Sequence, residues 1–341
     1  MLRYSMLDLA IVSEGSNITQ TLANSVETAR CAEKAGYTRY WFAEHHNMVS
    51  VASSATAVLI GHIAAHTQHI RVGSGGIMLP NHSPLVIAEQ FGTLASLFPN
   101  RIDLGLGRAP GTDQLTAQAL NTNFFQNAQQ FPENVLKLQT YFSLGNKNAA
   151  VRAIPGEGVD VPVWILGSST DSAYLAASYG LPYAFASHFA PAQMSNAFNI
   201  YRKNFSKEAA LAKTMACVNV IVASTEEDAE RIATSFYRMF LGLIRNQRGL
   251  LQPPIASMDA VWNEMEKEHV RQMTRCSFIG TKETVATKIK AFIKEFGVDE
   301  LMTTTPVYNL DDKLYSVEAF AEIMNSLTSK PVGDTQAFLM Q

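Results

Sequence analysis

Cysteine is scarce in this chain of 341 residues: Cys31, Cys217 and Cys276 lie far apart and form no Cys-x-x-Cys pair. That argues against a disulfide framework or a cysteine zinc site and points to reduced thiols in a cytoplasmic protein. Charge of one sign is lacking too, with Lys+Arg 27 against Asp+Glu 30, a formal net charge of -3 and no basic run. Neither nucleic acid nor an anionic membrane is the natural partner of such a surface. No apolar stretch approaches the ~18 residues that a membrane helix needs, and the first ten residues carry no secretory apolar region. His-Glu-x-x-His, Gly-x-x-x-x-Gly-Lys-Ser/Thr and Gly-x-Ser-x-Gly are all missing, which sets aside a zinc protease, a P-loop enzyme and an α/β-hydrolase. A dinucleotide loop is only half present, since Gly105-x-Gly107 is followed by Gly111 with the third glycine out of place.

What is present is a long alternation of apolar runs and amphipathic stretches in a chain that is 47% hydrophobic. Runs at 7–12, 37–42, 70–73, 101–106, 163–166, 183–186, 215–222 and 300–305 read as eight strands, each followed by a helical pattern. The third run continues through Gly75 and Gly76, and the fourth is followed by a long helical region at 112–144. Ser83 followed by Pro84, and Ser224 with Thr225 and Glu226, mark helix starts. This order predicts one α/β domain over 1–341, a (β/α)8 TIM barrel, with a two-domain doubly wound protein as the rival. The turn-rich segment 145–160 and the polar segment 245–276, which contains Pro253 and Pro254, read as insertions within it, the second a candidate lid.

In a barrel the loops after the strands open on one face, and the unusual polar residues of this chain fall there. Glu44, His45 and His46 follow the second strand, Gly75 and Gly76 end the third, and Arg108 follows the fourth. Gly167, Ser168, Ser169 and Ser172 follow the fifth, and Ser187 and His188 follow the sixth. A Gly-Ser-Ser turn opening a helix either binds an anion, as a phosphate monoester would require, or merely caps the helix. Arg108 could meet the same anion through paired hydrogen bonds, or form a salt bridge at the rim. Gly75 and Gly76 mark a bulge or bare backbone against which a flat ligand lies. His45 and His46 are adjacent in an extended segment and point apart, so they cannot share a metal; one faces the cavity as a proton carrier and the other is structural. Phe42, Met78, Phe185 and Phe189 suggest an apolar pocket wall, and His62, His66, His69 and His82 are assigned no chemistry.

Taken together, Tyr40-Trp-Phe-Ala-Glu-His-His-Asn47, Val72-Gly-Ser-Gly-Gly-Ile-Met-Leu-Pro80, Arg101-Ile-Asp-Leu-Gly-Leu-Gly-Arg108 and Gly167-Ser-Ser-Thr-Asp-Ser172 resemble the bacterial luciferase-like flavin-dependent monooxygenases, in order and spacing, over nearly the whole chain. His188-Phe-Ala-Pro191 is similar to a bacterial branch of that family without an assigned substrate. The resemblance implies a barrel that binds FMN, its phosphate held by Arg108 and by the Gly167, Ser168, Ser169 and Ser172 turn. It implies a cis peptide not preceding proline at Gly75 and Gly76 under the flavin ring, and His45 as the catalytic histidine. Reduced FMN would come from a separate NAD(P)H flavin reductase, and O2 would oxygenate a small organic substrate.

The chain departs from luciferase where Ser168 replaces an acidic residue and Gly107 a cysteine, changes that bear on light emission rather than on flavin binding. The helix at 54–66, built of small apolar residues, resembles the segment through which family members form a homodimer. Two other readings stand beside the monooxygenase: an F420-dependent hydride-transfer oxidoreductase, and a flavin-binding protein without turnover.

Overall fold

The protein is described from a computed structural model covering residues 2–208 and 212–328. Its apolar, β-branched and aromatic runs form nine parallel strands: β1 (Arg3–Asp8), β2 (Arg39–Phe42), β3 (Arg71–Met78), β4 (Ile102–Gly107), β5 (Val163–Gly167), β6 (Tyr183–Phe185), β7 (Thr214–Val222), β8 (Ser277–Gly280) and β9 (Glu300–Thr304). Between them run α1 (Ile18–Lys34), α2 (Thr56–His66), α3 (Pro84–Leu97), α4 (Gln114–Leu120), α5 (Phe124–Gln129), α6 (Phe131–Phe142), α7 (Thr170–Tyr179), α8 (Met194–Asn204), α9 (Glu226–Ile244), α10 (Glu264–Met273), α11 (Lys282–Phe296) and α12 (Leu310–Thr328).

Strands β1 to β6 pair in sequence, β6 pairs with β7, β7 with β9, and β9 with β1, which closes an eight-stranded (β/α)8 barrel as expected. Such closure leaves the barrel without free edges. The ninth strand, β8, was not expected. It pairs with Asn219 to Val222, the part of β7 that extends beyond the short β6, and so raises one side of the mouth.

Two cores flank the strands. Between barrel and helices lies a continuous apolar layer that includes Phe91, Ile165, Phe185, Phe198 and Phe320. Inside the barrel Leu7, Trp41, Trp164, Met215 and Met302 pack together, with the two indoles edge to face at 5.6 Å. The closed end is sealed by charge: Arg39 donates to Asp103 at 2.7 Å and to Glu300 at 2.7 Å, and its guanidinium lies 5.0 Å from the Trp164 ring. Buried charges persist only when paired in this way, so the polar end is fixed and chemistry is left to the opposite end.

Several expected boundaries shift. The first strand starts at Arg3 rather than Leu7, and the chain leaves it at Asp8, whose carboxylate accepts from Ala10 N–H at 2.8 Å while Ala10 turns to φ 49°. The expected helix over 112–144 breaks into α4, α5 and α6, at Asn121 and at Pro132 near the start of α6. Ser83 and Thr225 do precede helices; the Thr225 hydroxyl accepts from Asp228 N–H, whereas Ser83 makes no side-chain cap.

Candidate functional site

The turn after β5 is shaped by its own side chains. A Cβ on Gly167 would collide with Ser172 Oγ, so this position requires glycine. Ser172 Oγ donates to Ser169 O at 2.8 Å and shares a hydrogen bond with Tyr183 OH at 3.0 Å, while Tyr183 OH donates to Ser169 O at 3.1 Å. Ser169 occupies the N-cap of α7 in extended backbone, yet its side chain makes no capping bond. The amides that open α7 therefore keep the donors that a cap would have taken, together with the positive end of the helix dipole.

Arg108, just beyond β4, reaches this same turn. Its Nη2 lies 3.4 Å from Asp171 Oδ2, with the two side chains 53% and 69% exposed. An exposed pair of this length is weak, so the guanidinium is free to exchange Asp171 for a stronger anion. Uncapped amides and a guanidinium facing one turn form the donor set that a phosphate monoester requires. The residues present thus fit the phosphate end of FMN, with Ser172 engaged in shaping the turn.

Within β3 the peptide between Gly75 and Gly76 is cis, and the β3–β4 register shifts between Ser74 and Ile77. A Cβ on Gly75 would stand 2.6 Å from Leu7 Cδ1, and one on Gly76 would stand 2.7 Å from Gly105 O. The need for glycine at both positions thus comes from the protein's own packing. Ser74 secures the irregularity, donating to Gly105 O at 2.9 Å and accepting from Gly105 N–H at 3.0 Å.

The loops after β2 and β3 meet on Glu44, a buried carboxylate. It accepts from His46 Nε2 at 2.9 Å, His82 Nε2 at 2.9 Å, Asn81 Nδ2 at 3.2 Å and Met78 N–H at 3.0 Å. Burial alone would raise its pKa, but the bonds from His46 and His82 outweigh that and bring it down to about 2. His46 is thereby the structural member of the pair, and His82 joins it.

His45 turns the other way and lines the cavity at the barrel mouth. Its Nδ1 lies 3.1 Å from Gly111 O, in the loop after β4. A carbonyl only accepts, so the proton sits on Nδ1 and Nε2 is left as the basic atom. Burial lowers the His45 pKa, more than the Gly111 carbonyl and Glu44 raise it. The ring is a neutral base at neutral pH.

The cavity encloses about 580 Å³, within the range of small-molecule sites, about 300–1,000 Å³. Leu9, Ile11, Met48, Phe189, Leu243 and Leu250 supply apolar wall. Of the aromatic residues expected there, Phe189 is present, whereas Phe42 and Phe185 are fully buried in the core. His188 also lines it; burial, then the proximity of His45, pushes its pKa down to about 3. Asn219 ties the rim together, donating to His188 O at 2.7 Å and Ser277 Oγ at 3.0 Å and accepting from Thr304 Oγ1 at 2.7 Å. The far wall is residues 238–252, pinned where Leu251 N–H donates to Val12 O at 3.0 Å and Leu251 O accepts from Glu14 N–H at 2.8 Å. The candidate lid, 245–276, enters this wall through residues 245–252 and carries α10, which has a full capping box at Asn263 and Glu266.

Gly75 and Gly76 apart, which lie within β3, the expected residues fall in two groups. Arg108 and the Gly167, Ser168, Ser169 and Ser172 turn form one, and His45 with the cavity forms the other. The loop from Arg108 to Gly111 joins them. Glu44 was placed on this face without a role, and Asn219 and residues 238–244 were not named for the site; a lone asparagine in the β-branched run of β7 was the visible sign of the former.

The chain is similar to known proteins over nearly its whole length. The model of the luciferase-like monooxygenase family matches residues 3–300. A luciferase-like monooxygenase of Escherichia coli (strain K12) is 47% identical over 326 residues, covering 95% of this chain and 97% of that protein. The N-acetyl-S-alkylcysteine monooxygenase of Bacillus subtilis (strain 168) is 32% identical over 333 residues, covering 94% and 98%. The crystal structure of apo-MsnO8 matches with a TM-score of 0.89 at 31% identity, covering 95% of this chain and 99% of that one. Two more distant structures share the fold: the oxygenating constituent of 3,6-diketocamphane monooxygenase from Pseudomonas putida with FMN, at 16% identity, TM-score 0.72 and coverages of 94% and 97%, and an F420-dependent secondary alcohol dehydrogenase at 13%, 0.71, 96% and 99%. The chain belongs to the luciferase-like monooxygenase family, and is an oxygen-incorporating oxidoreductase of that family.

Proposed function

We propose that this protein is the oxygenase component of an FMN-dependent two-component monooxygenase. It would take reduced FMN from a separate NAD(P)H flavin reductase and transfer one oxygen atom of O2 to a small organic substrate, the other leaving as water. The observation that carries this reading is the uncapped start of α7 beside Arg108, joined by one loop to His45 and the cavity. When bound, reduced FMN supplies the two electrons that O2 activation needs. Arg108 and the α7 amides would hold the phosphate, and Gly75 and Gly76 would present bare backbone to the ring. His45 would accept a proton at Nε2, and the apolar wall would exclude water.

FMN suits this turn better than F420. Arg108 and the α7 amides suit a single phosphate at this turn, whereas the long acidic tail of F420 calls for further basic residues there. The test is an anaerobic titration with photoreduced FMN and, separately, reduced F420. Saturable binding of FMN alone is expected; binding of F420 alone would replace this reading with hydride transfer.

A homodimer through α2 belongs to the same proposal. One face of α2 is buried through Leu59, Ile60 and Ile63, while the opposite face exposes Val58 at 70%, with His62 and His66. A large apolar side chain on an exposed face of small residues suits a second copy. Light scattering should show two chains per particle, and one after Val58→Glu.

A further inference from the structure

The cavity wall holds more charge than the proposed chemistry uses. Five permanently charged side chains line it: Asp8, Arg238, Arg245, Arg248 and Lys313. Four are committed to the protein. Asp8 is buried, accepting from Ser25 Oγ at 2.6 Å and Tyr40 OH at 2.5 Å, with Lys313 Nζ 4.0 Å away. Arg238 donates to Pro253 O at 2.9 Å, and Arg245 grips Glu266 through two bonds of 2.7 and 2.9 Å. Arg248 has no such partner among the described residues, lies exposed in the wall, and acts on His45 across the cavity through its charge.

A guanidinium in the wall of a ligand-sized chamber, left without the carboxylate or carbonyl partner that the other charged side chains have, is an anion receptor. Its planar fork matches a carboxylate through two parallel bonds. We propose that Arg248 binds the carboxylate of the substrate, and that the substrate class is a small organic acid with an apolar body. The acid group would lie at the wall formed by residues 247–252, and the apolar body would run along Met48, Leu9 and Phe189 toward His45. Such an arrangement fixes which end of the molecule is presented for oxygenation. The inference rests on the reading of this mouth as a monooxygenase site, but it concerns a contact that needs neither flavin nor oxygen.

The test is therefore a binding measurement on the whole flavin-free protein. Straight-chain carboxylates from butanoate to octanoate, each paired with its neutral amide, are titrated by calorimetry into wild type, Arg248→Gln and Arg248→Lys. Charge-assisted pairing predicts that the best acid binds about tenfold or more tightly than its amide. Arg248→Gln should erase that ratio, and Arg248→Lys should keep part of it. Arg248 is exposed, so the variants retain the fold, and an unchanged thermal midpoint verifies this. Absence of binding by every acid, acids no tighter than their amides, or a ratio that survives Arg248→Gln would overturn the proposal. Weaker binding of reduced FMN to Arg248→Gln with no change for the acids would assign the guanidinium to the cofactor instead. Failure of reduced FMN to bind wild type would count against the monooxygenase reading and leave the acid titration standing.

Discussion

Replacing Glu44 by glutamine puts the junction of two mouth loops under direct test. In the native protein the Glu44 carboxyl is held down to about 2 from an ordinary 4.5, burial opposing and the bonds from His46 and His82 prevailing. A carboxyl depressed on folding contributes stability that is complete above the unfolded value and is lost as pH falls through the folded one. That lowering corresponds to about 3 kcal/mol at neutral pH. Glutamine keeps one acceptor oxygen but turns an NH2 group toward donors from His46, His82, Asn81 and Met78. One buried donor left unmade adds about 1–3 kcal/mol. Urea unfolding at neutral pH should thus show Glu44→Gln less stable by about 4–6 kcal/mol. The gap should narrow as pH falls from 4.5 toward 2, since the wild type then loses its own charge. A loss below about 1 kcal/mol, or a gap that does not change with pH, would refute the view of Glu44 as the charged tie between these loops.

Arg108→Ala should weaken reduced FMN about 10- to 100-fold while leaving riboflavin, which lacks the phosphate, unchanged, as fluorescence-quenching titrations would show. Gly76→Ala would drive a Cβ to 2.7 Å from Gly105 O, a backbone atom that cannot step aside, so a loss of about 1–3 kcal/mol is expected in urea unfolding. His188 is held neutral down to about 3, so the unfolded chain takes up a proton near 6.5 that the folded one refuses, and stability falls as pH drops between those values. His188→Gln should flatten that decline in a series of thermal midpoints; a decline of the same slope would place its cause elsewhere.

The barrel was legible because its strands announce themselves. Buried parallel strands read as continuous apolar runs, and seven of the eight barrel strands lay where such runs predicted. The first began earlier than its apolar run because the closed end of the barrel tolerates polar residues that find partners: Ser5 donates to Glu300 at 2.5 Å. Strand β8 is only Ser277–Gly280, too short for a pattern, and exists because β7 outreaches β6. In the site, Arg108 and the Gly-Ser-Ser turn could be foreseen since each ends a strand. Glu44 could not be read as a junction, because Met78, Asn81 and His82 reach it from 34, 37 and 38 positions away. Arg248 lay in a segment that looked like a surface insertion until Leu251 pinned it across the mouth.

We propose that this mouth binds reduced FMN and directs its reaction with oxygen. Rapid mixing of the anaerobic protein–flavin complex with oxygenated buffer, followed by absorbance, tests it most directly. A transient spectrum distinct from both reduced and oxidised flavin, lost in Arg108→Ala for want of binding and altered in lifetime by His45→Ala, is the predicted result. Reoxidation at the free-solution rate with no transient would contradict the account.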